Sequence, residues 1–119
     1  MRHAEIGRDH GLVGLHLIGR TVGDLLSVIE HNHPVGIEAQ TRLAMENIKS
    51  ILAHEGLNWT DVIKVTKYLT DMRDMDGMVA AMAEYFGDWT PASTTVCVNQ
   101  LSTPGARVEL DMIAAYRKS

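Results

Sequence analysis

The sequence predicts an α+β domain in which two helices pack on one face of a mixed β-sheet. Three observations predict it. Residues from about Ile37 to Glu55 and from Met75 to Phe86 carry apolar stripes of helical period. Alternating runs rich in β-branched residues lie before, between and after those stripes. No repeat, linker or low-complexity run interrupts the chain, so residues 1–119 read as one domain.

The elements follow in order. A strand is expected over His3–Arg8. Gly11–Gly19 forms a second, with Leu15 and Leu17 alternating against His16 and Ile18. A third is expected over Leu25–Glu30, closed by a turn at His31-Asn32-His33-Pro34, where Pro34 pushes His33 out of the helical region. In the first helix Ile37, Thr41, Ala44, Ile48, Ile51 and Leu52 share a face, Glu38 and Arg42 sit at i,i+4 on the wet side, and Gly56 supplies a left-handed cap. Val62–Leu69 alternates as a strand, with Ile63 and Val65 opposite Lys64, Thr66 and Tyr68. Asp74 is placed to cap the second helix, whose Met75, Met78, Val79, Met82 and Phe86 form its stripe and which Gly87 closes. The stripe is core packing, not a cofactor site. Thr94–Asn99 and Val108–Ala114 are the last strands, joined by a turn over Ser102-Thr103-Pro104-Gly105. The predicted order is β-β-β-α-β-α-β-β, and strands grouped this way around two helices give a mixed sheet.

Composition narrows the function. Hydrophobic residues make up 45% of the 119, enough for a core, and the formal net charge of −4 leaves no electrostatic footprint for nucleic acid or an anionic membrane. The longest apolar stretches fall short of the ~20 residues a membrane span needs. The start carries an acid and no apolar run, so no signal peptide is expected, and the lone Cys97 fits a reducing compartment. The expected location is the cytoplasm. His31 and His33 have no evident third ligand, so no metal is expected, nor any other cofactor. Ile18, Val22, Val98 and Ile113 add apolar surface to a sheet whose second face has no helices to cover it. A partner surface is therefore expected, and closed cyclic self-assembly is the simplest way to supply one.

Ile37-Glu38-Ala39-Gln40-Thr41 followed by Glu46-Asn47-Ile48 and Ile51-Leu52 resembles a helix motif of the Rid (YjgF-like) family of reactive-intermediate deaminases. The resemblance continues through Val62 to Met72, Glu84-Tyr85-Phe86, Thr90-Pro91-Ala92 and Val108-Glu109-Leu110, and so spans about Ile37 to Ala115. It implies a chorismate-mutase-like homotrimer: three sheets form a central barrel, helices lie outside, and a small-molecule pocket sits at each subunit junction. It also implies hydrolysis of enamines or imines. In that chemistry an arginine after Pro-Ala clamps the substrate carboxylate and a glutamate on the last strand activates water.

Carried over position by position, the resemblance leaves Glu109 as the candidate catalytic group, with a carboxylate bonded to backbone amides at the junction as its alternative. The family arginine is replaced by Ser93, its strand serine by Ile18, and the asparagine of the second helix by Val79. A hydroxyl cannot reproduce a guanidinium fork. The expected ligand site comprises Gly19, Arg20, His16, Ser93, Thr95 and Cys97, with Arg20 either supplying the missing cation from a different strand or standing as a solvent-exposed or subunit-bridging arginine. His16 also reads as a packed, hydrogen-bonded residue, and Cys97 as a buried small hydrophobe. Two functions follow. One is a hydrolase or deaminase of a small reactive metabolite other than the usual 2-imino acids. The alternative is a non-catalytic trimer that binds a small ligand or a partner in the same cleft.

Overall fold

In the computed structural model, which describes residues 3–7, 12–18 and 36–116, five strands form one sheet under two helices. The elements are β1 (His3–Gly7), β2 (Leu12–Ile18), α1 (Ile37–His54), β3 (Val62–Leu69), α2 (Met75–Phe86), β4 (Ala92–Cys97) and β5 (Val108–Ala115). The strand order is β1-β2-β5-β3-β4. Neighbours are antiparallel except β3 and β4, which run parallel and are joined through α2. A parallel pair needs such a crossover, whereas antiparallel neighbours can be joined by a short turn. The expected mixed sheet with two helices on one face is therefore present. The expected strand at Leu25–Glu30 and the turn at His31–Pro34 lie outside the described residues.

The period of each element explains where it packs. All six stripe residues of α1 are buried, and the helix is followed by Gly56 at φ 72°, the left-handed position where a Cβ is penalised. In β5 every second residue, Val108, Leu110, Met112 and Ala114, is wholly buried beneath the helices, while Glu109, Asp111 and Ile113 alternate half-buried on the opposite face. Gly77 lets α2 approach the start of α1, since a Cβ there would come within 2.6 Å of Ile37 Cγ2. On the outside Arg42 forks onto Glu84 of α2 at 2.7–3.2 Å. Glu38 acts on Arg42 through its charge, and the hydrogen bonds go to Glu84 instead.

Two expectations are corrected. Ile63 does not share the buried phase of Val65. The register slips between Val62 and Lys64, which oppose the adjacent residues Ala114 and Ile113, so Ile63 is the extra residue of a bulge and is 46% exposed. Beyond it the helix-facing phase of β3 is Val65, Lys67, Leu69. Asp74 precedes α2 but its carboxylate makes no capping bond. It accepts two hydrogen bonds from the Arg107 guanidinium, at 3.0 and 2.5 Å. Gln40, buried in α1, completes this latch: its amide donates to the Gly105 carbonyl at 3.0 Å and its oxygen accepts from the Arg107 N–H at 2.8 Å. The Gln40 of the first motif is thus a structural tie from α1 to the loop before β5.

Candidate functional site

The parallel edge of the sheet builds a cleft. β3 and β4 pair in the register Val65 with Ser93, Lys67 with Thr95 and Leu69 with Cys97. Opposed residues project to the same side, so this set faces the helices. α2 crosses above, and the space left between them is a cavity of ≈ 220 Å³. Val79, Met82, Ala83 and Phe86 of α2 form its roof, Val65 and Lys67 its floor, Ser93 its edge, and Gly87, Trp89, Thr90 and Pro91 its closed end. Trp89 is fixed there because its indole N–H donates to the Val62 carbonyl at 2.8 Å, beside the bulge. The bulge therefore does two things for the cleft: it sets the phase that brings Lys67 inward, and it lies beside the anchor of the end wall.

The electrostatics of the cleft reduce to one group. Lys67 is half-buried, and the loss of water around its amine pulls its pKa below the usual lysine value of 10.5. No carboxylate lines the cleft among the described residues, and Lys67 has no ion pair or hydrogen bond there. Ser93 and Thr90 supply the hydroxyls. Val79 is 43% exposed at the roof and offers no polar atom to a ligand.

The residues singled out in the sequence fall into two groups. Ser93, Thr95 and Cys97 stand on the helix-facing side of the edge strand, and of these Ser93 lines the cleft. Glu109 is on the opposite face, in register with Tyr68 of β3 and Ile18 of β2, while His16 occupies the register position of Asp111. Gly19 and Arg20 lie outside the described residues. Cys97 is exposed, not buried as expected: it ends an edge strand that no described element covers on its outer side. Among these residues no cluster of histidine, cysteine and carboxylate suited to a metal occurs.

Lys67 was not among the candidates. Its signal was present in the strand pattern, as a lysine in the apolar phase between Val65 and Leu69. Alternation read from Ile63 onward keeps Lys67 in phase with Val65, and what it hid is the bulge that turns Ile63 outward.

Comparison with known proteins agrees with the geometry. The model of the Endoribonuclease L-PSP family matches residues 28–116. A RutC family protein of Pyrococcus horikoshii is 46% identical over 78 residues, which are 66% of this chain and 61% of that protein. A protein of Escherichia coli provisionally named as a reactive intermediate deaminase is 30% identical over 83 residues, 68% of this chain and 64% of that protein. In both cases the match spans less than two thirds of the relative's length. The crystal structure of a YjgF-family protein from Mycobacterium tuberculosis superposes with a TM-score of 0.74 at 28% identity, covering 94% of this chain and 83% of that one.

Proposed function

The chain belongs to the YjgF-like (Rid) family described by the Endoribonuclease L-PSP model, and on that premise we propose that it hydrolyses a C–N bond in a small reactive metabolite, in a cleft completed by a second subunit of a homotrimer. The observation that carries this reading is the division of the site. Ser93 and Lys67 lie in a cleft at an open sheet edge, and Glu109 lies on the opposite face of the same sheet. One protomer cannot apply both to one small molecule, and cyclic assembly brings the edge of one sheet to the open face of the next. Exposed apolar side chains outside the helix-facing core support this, among them Ile63 at 46% and Val96 at 40%.

In the reaction, water adds to the carbon of an imine and the tetrahedral product collapses to a carbonyl and ammonia. Glu109 accepts the proton of the attacking water and returns it to the departing nitrogen. The residues proposed to frame the ligand are Gly19, Arg20 and His16, with Ser93, Thr95 and Cys97. The usual 2-imino acids are poor substrates in this reading, because Ser93 makes no bidentate contact with a carboxylate. Some relatives bear the deaminase name, which supports the reaction class. The endoribonuclease description of the family model is not carried over, because a net charge of −4 works against a phosphate backbone.

The test is to generate imines in situ and follow ammonia release, with Glu109→Gln as control. Release above the uncatalysed rate that the variant abolishes supports the hydrolase. The second reading, a trimer that binds ligands without chemistry, is favoured by the mostly apolar lining of the cleft. It is the outcome if ligands bind and no ammonia appears. A monomer mass by light scattering at micromolar concentration sinks the shared-cleft idea in both forms.

A further inference from the structure

We propose that the Lys67 ammonium is the anion-holding group of the cleft, and that the cleft takes a small monocarboxylate with an apolar body. The inference rests on this cleft being the ligand site named above, and it assigns to β3 the cation that the sequence reading placed on Arg20.

The geometry supplies the reasons in turn. Val65 and Leu69, the neighbours of Lys67 in its strand phase, are 2% and 0% exposed. An ammonium inserted between two core residues gives up part of its hydration, and burial is the cause of its lowered pKa. Charges placed in this way are ordinarily paired. The other partly buried cation among the described residues, Arg107, is paired with Asp74. Lys67 has no such partner among the described residues, so the stabilising counter-charge is left for a ligand to bring.

The walls then select the ligand. One cation with no second positive group in the lining among the described residues suits a single negative charge better than a phosphate dianion. Val79, Met82, Phe86 and Trp89 offer apolar contact to the rest of the molecule. The volume of ≈ 220 Å³ lies below the ~300–1,000 Å³ of drug-sized sites and so fits a body of a few carbons. Ser93, on the neighbouring strand of the same floor, presents a hydroxyl to the second carboxylate oxygen. The ammonium donates in any direction around its axis, so it holds a carboxylate as a point charge, without the planar fork of an arginine.

The experiment is a titration of the full chain with butanoate and with its neutral analogue butanamide, followed by calorimetry and by amide chemical shifts. Wild type, Lys67→Met, Lys67→Arg and Arg20→Ala are compared, each first checked for its melting temperature and assembly mass. Butanoate is expected to bind at least tenfold more tightly than butanamide, with shifts at Val65, Val79 and Ser93. Lys67→Met should lose at least tenfold in butanoate affinity, ~1.4 kcal/mol, and Lys67→Arg should keep most of it. Equal affinity for the two probes, no binding of butanoate, or a loss seen only in Arg20→Ala overturns the assignment. Its fate is separable from that of the hydrolase: butanoate binding that needs Lys67 in a protein that releases no ammonia refutes only the hydrolase. Ammonia release that is indifferent to Lys67→Met, in a protein that does not distinguish butanoate from butanamide, refutes only Lys67.

Discussion

The two ends of α2 are built in opposite ways. At its start, Asp74, Arg107 and Gln40 form a closed set in which each polar group meets a partner at hydrogen-bonding distance. At its far end, Met82, Phe86 and Trp89 surround Lys67, which has no partner among the described residues. The difference separates structural charge from available charge. A buried polar group that is satisfied within the chain holds the fold in one arrangement, and a ligand has nothing to add there. A partly dehydrated cation left unpaired raises the free energy of the empty protein slightly, and an anion that pairs with it lowers that of the complex.

The largest effect should come from breaking the satisfied end. Gln40→Ala leaves the part-buried Arg107 N–H and Gly105 carbonyl without their partner together, each in the lower half of the ~1–3 kcal/mol that an unpaired group costs when fully buried. A loss of about 2–4 kcal/mol in denaturant-unfolding stability is expected, and a midpoint within error of wild type would show that the latch is ornamental. Asp74→Asn should cost less, about 1–2 kcal/mol, because it weakens a charge-assisted pair whose arginine is 41% exposed and can turn to water.

Substitution at the other end should barely move stability. Lys67→Met replaces a dehydrated ammonium with an apolar side chain of similar length, and the unfolding midpoint should stay the same or rise while carboxylate binding falls. The pH dependence has a definite sign. Burial lowers the Lys67 pKa in the folded chain, so the folded state holds fewer protons than the unfolded one between that value and 10.5, and stability from this group rises with pH across the interval. Below it the cost of burying the ammonium is fully present. Among the described residues no titratable group other than Lys67 lines the cleft, and Cys97 stands two residues beyond Thr95 on β4, opposite Leu69. The difference in stability between Lys67→Met and wild type should therefore shrink on going alkaline. A constant difference would mean that Lys67 is hydrated as on an open surface.

The smallest effect tests the comparison from outside. Arg73 forks onto Asp71 at 2.7–3.1 Å, and this holds the Asp71 carboxyl down to about 2. Both groups are solvated, so pairing here is neither a latch nor an available charge. Any stability the pair gives is present above the ordinary value of 3.8 and lost as pH falls through about 2. Arg73→Ala should move the Asp71 titration upward in a carboxyl-detected NMR experiment and leave the unfolding midpoint at pH 7 unchanged.

What the sequence by itself determined was whatever repeats locally. The stripes of α1, the alternation of β5 and the glycine after α1 are consequences of fixed periods and of one backbone angle, and each matched its element. The motifs from Ile37 to Ala115 likewise placed the chain in its family, because they record the same local choices. Tertiary structure decided what depends on groups far apart in the chain. Asp74 was free to cap its own helix until Arg107, 33 residues on, took its carboxylate. Gln40 looked like half of a motif until the loop before β5 came to rest against it. Ile63 passed for a partner of Val65 on the buried side because alternation alone does not show a bulge, which is set by pairing with β5 and not by the strand's own composition. Candidate residues suffered most. Ser93 and Glu109 are 16 positions apart in the sequence and on opposite faces of the sheet, since the face a side chain takes depends on strand phase and the site itself depends on what is packed across it.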